Sequence, residues 1–361
     1  MSQGDPVPVV EHYDNVEEFL QQLSNVRHRA NSARWAFRGH GDADWPLVPS
    51  VLRQRRGKPP EWWHPEVSGG DRDWCRRMSE ARMVLQFWEL ADRSGLAIPE
   101  DSARIRSWRH LERILGASPR SAFGSKMPLE PPTRWPQPEL LSVVALAQHY
   151  GVKTRLLDWT WKPLVAAYFA ARDVKRLTLT GRIAVWALWA ETIDLLWTAE
   201  IVDPDVEIVQ APQASNPNLA AQAGLFTVVR NAHENVGLED VLKPKLTGGM
   251  LAGTLRKLTL PASEARSLMG QLHLDGVHAG TVFAGYGGVV EAQSEIDWWS
   301  GAPRSRRTPP GVPAGPPGLD RASAPKRARS GAPTLATPVS SPGERPATSR
   351  RARGSRRRPP P

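Results

Sequence analysis

The chain has 361 residues, 40% of them hydrophobic, and a formal net charge of +10. Its single cysteine, Cys75, excludes an internal disulfide framework and any metal site built from several cysteines. The longest unbroken apolar run, residues 183–190, is far shorter than the ~20 residues that a membrane-spanning helix needs. The first ten residues also lack the pattern of a secretory signal, so we expect a cytoplasmic protein without a membrane span.

The positive charge is concentrated at the C-terminus. Residues 301–361 contain 14 of the 34 prolines and carry 14 basic against 2 acidic residues, a charge of 14 − 2 = +12, which leaves −2 for residues 1–300. All 15 tryptophans precede residue 300. We therefore predict a globular region over 1–300 and a disordered Pro/Arg-rich tail over 301–361. Such a tail can bind nucleic acid through its phosphates or can be an inert, solvated extension.

The first third of the chain predicts a helix, a strand and a second helix. Asp14 or Asn15 can cap a helix with apolar residues at helical spacing up to Val26. Residues 34–38 alternate as in a half-buried strand, with Trp35 and Phe37 on one face and Ala36 and Arg38 on the other. Gly39 and Gly41 are expected to break this strand. An apolar stripe from Trp74 to Trp88 then predicts a long helix that ends at Gly95.

The remaining elements predict a sheet with helices around it. Residues 119–138 have the composition of an inserted loop. Helices are expected over 138–150, over 163–173 and over 263–274, with residues 153–158 as the turn between the first two. Residues 181–190 are apolar on both alternating faces, which is typical of a central strand, and further strands are expected over 206–209, 225–229 and 255–260. The predicted fold class is α/β, or α+β, with one mixed-sheet domain and flanking helices.

Common catalytic motifs do not occur in this sequence. It has no phosphate-binding Gly-x4-Gly-Lys, no Gly-x-Gly-x-x-Gly, no His-Glu-x-x-His and no Gly-x-Ser-x-Gly. Residues 285–288, Gly-Tyr-Gly-Gly, are interpreted as a turn. His273 and His278 are separated by Gly276, which would break a shared helix, so no metal site is predicted there.

Arg38 is the strongest single candidate for a ligand-binding residue. A guanidinium stays charged at neutral pH and must face a carboxylate, a phosphate or water. Arg38 is therefore either an anion clamp for a nucleotide, with Gly39 allowing close approach of a phosphate, or one half of a structural ion pair with Asp158 or Asp44.

His149 and Asp158 form a second polar group. Together with Ser142 they contain the residue types of a hydrolytic triad, but Ser142 precedes His149 by two helical turns, roughly 10 Å. His149 can instead satisfy a neighbouring polar group. Arg155 and Asp158 are expected either to contact a ligand or to pair locally in the turn between two helices.

Three separated blocks resemble the FRG-domain proteins, a bacterial family with a Phe-Arg-Gly signature. The first block is Trp35-Ala36-Phe37-Arg38-Gly39 followed by Asp44-Trp45-Pro46-Leu47-Val48-Pro49-Ser50 and Leu52-Arg53. The second is Gln148-His149-Tyr150-Gly151 with Thr154-Arg155-Leu156-Leu157-Asp158-Trp159, and the third is residues 218–226. The resemblance implies an FRG core of about 28–175, extending to about 230, and carries no established general activity.

The order of these blocks is also similar to the layout of ADP-ribosyltransferases. That resemblance implies that Arg38 holds the pyrophosphate of NAD, that Tyr168 flanks the nicotinamide, and that Gln222 occupies the late polar position near the ribose. Gln222 stands where a Glu is usual and cannot act as a base, so it can equally be a turn-fixing side chain. The alternative function is a non-catalytic module that recognises a ligand or a protein, with an Arg-rich tail that binds nucleic acid.

Overall fold

A computed structural model describes residues 8–28, 34–53, 72–107, 135–198, 206–213, 216–230, 236–246 and 253–301. The described residues all belong to one compact unit, Met1–Ser305. The predicted tail, apart from Gly301, and most of the predicted insertion at 119–138 lie outside the described residues. Within the described ranges, none of the helices has both the length and the apolar character needed to cross a bilayer.

Seven strands form one mixed sheet in the order β1-β7-β4-β2-β3-β6-β5. The edge strand β1 runs parallel to β7, and the other neighbouring pairs are antiparallel. This arrangement with its flanking helices confirms the predicted mixed-sheet fold. The strands are β1 Val9–His12, β2 Trp35–His40, β3 Leu156–Thr160, β4 Arg182–Trp189, β5 Val206–Val209, β6 Gly224–Val229 and β7 Leu255–Pro261.

The helices connect and cover these strands. Short 3-10 turns at Ser50–Leu52, Pro138–Leu140 and Ala262–Glu264 supplement them. The α-helices are α1 Val16–His28, α2 Arg72–Arg93, α3 Ala103–Ser107, α4 Leu141–His149, α5 Pro163–Leu177, α6 Ala190–Thr198, α7 Pro217–Gln222, α8 Leu238–Leu246, α9 Ala265–Leu274, α10 Ala279–Val282 and α11 Tyr286–Trp299.

Local sequence signals set several of these boundaries as predicted. The Asn15 carboxamide oxygen accepts a hydrogen bond from the Glu18 backbone N–H at 2.9 Å, which caps α1. After α2, Gly95 adopts φ 71°, the left-handed conformation expected of a helix-ending glycine. The structure differs in several places: among them, β1 was not predicted, β3 begins inside the predicted turn at 153–158, and the predicted turn at 285–288 begins α11.

The two faces of the sheet are covered differently. On one face, α6, α8 and the segment 47–52 pack over a continuous apolar cluster that includes Trp159 and Trp186. On the other face there are two separate clusters. Helices α1, α5 and α9 cover β7, β4 and β2, whereas α2 and α4 cover β3, β6 and β5.

Gly39 is needed for the packing of α5 against β2, in the cluster that α1, α5 and α9 cover. The strand continues through Gly39 to His40, so the prediction that this glycine breaks the strand is wrong. A Cβ on Gly39 would lie 1.9 Å from the Ala166 carbonyl oxygen and 2.7 Å from the Ala170 backbone nitrogen. The bare Cα lets α5 lie directly on the strand, and the open side of Gly39 therefore faces a helix.

Candidate functional site

The interior strand β3 has an exposed residue at its midpoint. Asp158 pairs with Phe226 of β6, so the two side chains lie on the same face of the sheet. This is the face that carries the two separate apolar clusters. The Asp158 side chain is nevertheless 62% exposed, although its four neighbours along β3 are buried. An exposed mid-strand residue in a seven-stranded sheet marks the place where the covering layers part.

Strands β2 and β3 also separate at this place. They share a single register pair, Phe37 with Thr160, whereas β2 pairs with β4 along its whole length. Arg38 projects from the opposite face of β2 to Phe37, and its guanidinium reaches the main chain of β3 at Asp158. We call this place, lined by Arg38, Asp158 and Gln148, the β2–β3 gap.

Arg38 is held mainly by uncharged acceptors. Its Nη1 donates to the Asp158 carbonyl oxygen at 2.7 Å, and its Nε donates to Nε2 of His40 at 3.0 Å. The Asp158 carboxylate oxygen Oδ2 is more distant, at 3.5 Å from Nη1. The Arg38 side chain is 15% exposed, and its Nη2 group has no hydrogen-bond partner among the described residues. One edge of the guanidinium is thus uncommitted.

Asp158 is fixed by a short polar chain. Its Oδ1 accepts from the Gln148 side-chain amide at 2.6 Å, and the Gln148 carboxamide oxygen in turn accepts from the Thr154 hydroxyl. The Thr154 carbonyl oxygen accepts from the Ser50 hydroxyl at 3.2 Å. Through these bonds, the end of α4 and the 3-10 turn that begins at Ser50 are both linked to Asp158.

A second arginine lies close to the first. Arg53 donates through Nε to the Val48 carbonyl oxygen at 2.8 Å, and burial together with the positive charge of Arg38 lowers the pKa of its guanidinium. Asp173 of α5 supplies a partly balancing charge. Burial raises the pKa of Asp173, while Arg176, Arg172 and Arg38 act against that shift. Arg38 and Arg53 are therefore neighbouring cations, with the carboxylates of Asp158 and Asp173 close to them.

His149 lies at the rim of the gap. Its Nε2 is 3.2 Å from the amide nitrogen of Asn218, whose carboxamide oxygen accepts from the Ala284 backbone N–H. This orientation of the amide makes Nε2 of His149 the acceptor. Burial lowers the pKa of His149, and the nearby Asp158 opposes that shift. His149 thus connects α4 to α7, as expected of a histidine that satisfies a neighbouring group.

Gln222 has a comparable bridging position. Its side-chain amide donates to the Val282 carbonyl oxygen at 3.3 Å, which ties the end of α7 to α10. Its own carbonyl oxygen accepts from the Thr160 hydroxyl at the end of β3. This geometry matches the structural alternative for Gln222.

Tyr168 does not line the gap. It is fully buried on α5, and its hydroxyl donates to Oε1 of Glu295 at 2.6 Å. Burial and this carboxylate raise the pKa of Tyr168. Because it belongs to the cluster under α5, Tyr168 cannot flank a ligand bound beside Arg38, and the expected nicotinamide contact is corrected to a core role.

Arg155 likewise belongs to the core. Its Nε donates to Oε2 of Glu80 at 2.7 Å, and its backbone N–H donates to Oε1 of the same residue at 2.8 Å. The two side chains are 2% and 0% exposed. The local pair with Asp158 is therefore wrong, and Arg155 is removed from the ligand-binding set because its charge is already matched.

Ser142 and the two C-terminal histidines lie elsewhere. The Ser142 hydroxyl donates to Oε2 of Glu100 at 2.8 Å, so it forms no triad with His149. The His273 and His278 ring centroids are 4.9 Å apart. Over the ranges that the structure describes, no three potential metal ligands come together.

The sequence alone assigned no role to four residues of this site: His40, Arg53, Gln148 and Asp173. Arg53 lies in the first FRG-like block and Gln148 in the second, and neither block predicts a role for them. His40 carried a usable signal, because residues i and i+2 of a strand share a face and His40 therefore accompanies Arg38. Nothing local predicts Asp173, whose contact with the chain at Gly41 depends on how α5 packs.

Comparison with known proteins gives one match. The family model described as the FRG domain matches residues 33–178. These residues include β2, β3, α4 and α5, the elements around the β2–β3 gap. No curated protein and no solved structure matches the chain significantly.

Proposed function

We propose that this FRG-domain protein binds an anionic small molecule in the β2–β3 gap, with a nucleotide such as NAD as the favoured ligand. The observation that carries this proposal is the uncommitted edge of the Arg38 guanidinium beside an exposed mid-strand residue. Arg38 is the anion-binding residue in this proposal, and Asp158 and His149 lie beside the ligand.

The electrostatics of the gap support an anion. Arg38 and Arg53 are close enough for the charge of one to lower the pKa of the other, so an anion between them would relieve their repulsion. A guanidinium can also offer two parallel N–H donors to a phosphate, a geometry that a lysine cannot reproduce. The diphosphate of a dinucleotide fits both requirements.

NAD is favoured over other nucleotides on the resemblance to ADP-ribosyltransferases, in which an aromatic-Arg-Gly strand holds the NAD phosphates. The proposal is limited to binding. Gln222 has no basic group, its side chain is directed to Val282, and Tyr168 is buried. Two of the three residues that the resemblance assigns to the reaction therefore do not support a transfer step.

Calorimetric titration of NAD into the wild-type protein and into Arg38→Lys tests the proposal. Arg38→Lys keeps the charge and loses the forked donor pair, so we expect affinity to fall about tenfold or more with little change in melting temperature. Arg93→Lys is the matched control, because Arg93 is an exposed arginine in an i,i+4 pair with Glu89 on α2 and should bind NAD as the wild type does.

One pair of outcomes would overturn the proposal. If the wild-type protein does not bind NAD and Arg38→Ala loses several kcal/mol of stability, roughly the 3–5 kcal/mol of a broken buried pair, Arg38 is a structural residue. The gap would then have no assigned ligand.

The C-terminal tail supports a second and separate proposal. Its charge of 14 − 2 = +12 over residues 301–361 suits the binding of nucleic acid through phosphates, without sequence preference. This activity rests on composition alone and would be independent of the β2–β3 gap.

A further inference from the structure

His40, the last residue of β2, lies buried beside Arg38 and was not among the predicted site residues. We infer that His40 is a positioning residue for the proposed anion site: its neutral imidazole, protonated on Nδ1, holds the Arg38 guanidinium through Nε and leaves the Nη2 edge for the ligand. The inference rests on the proposed function of the β2–β3 gap and adds a pH-dependent element to it.

The hydrogen bonds determine the tautomer. Arg38 has only donors, so the Nε2 atom that it contacts at 3.0 Å must carry a lone pair. The proton is then on Nδ1, which lies 3.2 Å from the Trp45 carbonyl oxygen and donates to it. The Trp186 indole N–H is 3.3 Å from the same Nδ1 and cannot donate to a protonated nitrogen, so we assign the bond to Trp45.

The charges around the ring favour this neutral form. Arg38 on the same strand, Arg53 after the first 3-10 turn and Lys257 on β7 all oppose a positive charge on His40. Burial acts in the same direction and is the largest cause of a pKa held well below 6.5. Asp42, Asp44 and Glu239 act on Lys257, while the Trp45 carbonyl favours the charged ring.

Protonation of His40 would disrupt the site. A charged imidazole carries hydrogens on both nitrogens, so its Nε2–H would face the Nε–H of Arg38 and the bond between them would be lost. The guanidinium would then be free to turn away from Asp158. Binding of NAD should therefore weaken in acid at a pH set by His40, even though the diphosphate diester of NAD and the Arg38 guanidinium keep their charges.

Two substitutions separate positioning from packing. His40→Gln keeps an uncharged acceptor and cannot be protonated, whereas His40→Leu fills similar space without any acceptor. His28→Gln, at an exposed position at the end of α1, is the matched control. Binding of NAD would be measured by calorimetry between about pH 8 and about pH 5. Binding of inorganic pyrophosphate would be measured near pH 7.5 only, because pyrophosphate itself takes up protons at lower pH.

We expect His40→Leu to bind both probes about tenfold more weakly than wild type near pH 7.5, the loss of one charge-assisted hydrogen bond. His40→Gln should retain most of the affinity and lose the extra weakening in acid, and His28→Gln should behave as wild type. Wild-type affinity in His40→Leu, or an unchanged acid loss in His40→Gln, would overturn the inference.

A measurement without ligand distinguishes failure of this inference from failure of the proposed function. Nitrogen-15 NMR of the wild-type imidazole should show a protonated Nδ1 and a lone pair on Nε2, with the Arg38 Nε–H protected from exchange. If neither probe binds but this pattern is present, the proposed ligand is wrong and His40 still positions Arg38. A protonated Nε2 near pH 7.5 would overturn the inference even if NAD binds or His40→Leu does not fold.

Discussion

Arg155 lies directly before β3 and Arg38 of β2 contacts the midpoint of β3 at Asp158, and the two arginines meet their partners in opposite ways. Arg155 is enclosed with the Glu80 carboxylate, and both side chains are almost completely buried. Arg38 is held by a carbonyl oxygen and a neutral imidazole, and its nearest carboxylate is mostly exposed. The kind of acceptor around an arginine therefore separates a structural charge from one that remains available to a ligand.

We expect the largest loss of stability when the buried pair of Arg155 and Glu80 is broken. Glu80→Ala would leave the Arg155 guanidinium buried without its counter-charge, so we expect a loss of about 3–5 kcal/mol in the free energy of unfolding. Urea denaturation measures it. Replacing both residues by methionine should recover much of that loss, because no buried charge remains. A loss below about 1 kcal/mol in Glu80→Ala would show that the pair is not structural.

Gly39→Ala tests whether the strand beside Arg38 is fixed by packing. The added methyl group would clash with the Ala166 carbonyl oxygen of α5, so we expect destabilisation of about 1–3 kcal/mol, the usual cost of overpacking. Gly287→Ala is the control, since a Cβ there meets nothing within 4 Å and the residue lies inside α11. It should stabilise slightly. Equal melting temperatures for the two variants would contradict the packing role.

Arg38→Ala should cost much less stability than Glu80→Ala. The bonds that it removes are to a carbonyl oxygen and an imidazole, and its ion pair with an exposed carboxylate is worth little. We expect a loss of about 1–2 kcal/mol in urea denaturation. A loss as large as that of Glu80→Ala would remove the distinction between the two arginines and, with it, the proposed ligand role.

The lowered pKa of His40, beside Arg38, predicts that the stability of the folded protein depends on pH. This pKa is lowered in the folded protein and returns to about 6.5 on unfolding, so the unfolded chain binds the extra proton first. Stability is therefore full above pH 6.5 and falls as the pH decreases from there toward the folded pKa. His40→Gln should reduce this fall in thermal melts, and some should remain because the pKa values of His149 and His278 are also lowered. An unaltered acid profile would contradict the assignment.

The tail should have the smallest effect on the domain. A chain ending at Ser300 should melt like the full chain and lose any binding to nucleic acid that weakens steeply with salt. Fluorescence anisotropy with a labelled duplex at two salt concentrations measures it. Unchanged binding by the shortened chain would place the basic surface elsewhere, with the Arg38 and Arg53 pair as the first alternative.

Strands and helices with strong local patterns were predictable from the sequence. The alternation at 35–38 gave the correct faces for Phe37 and Arg38, and the apolar residues 181–190 correspond to the central strand β4. The strand β3 was missed because residues 153–158 are polar enough to resemble a turn. Its identity depends on pairing with β6, about seventy residues later in the chain, and no local signal reports that.

The site was predictable only in part, for the same reason. The short blocks indicated Arg38, Asp158 and His149, which the structure does bring to one place. They could not separate Arg155 from this group, because its partner Glu80 lies on α2 across a long segment. Tyr168 was misjudged because the apolar run 163–170 does not reveal which side of α5 faces the sheet.

The family match ends before β4 and β6, the strands with which its own strands form their longest ladders. Where the structure describes residues 33–178, the strands are β2 and β3, which meet at one register pair. Their long ladders are with β4 and β6, six and five pairs respectively, and both partners lie beyond the match. A fragment trimmed to the match would expose two unpaired strand edges and is expected to aggregate. The match thus covers the middle of this sheet, and its two strands depend on β4 and β6 for most of their backbone pairing.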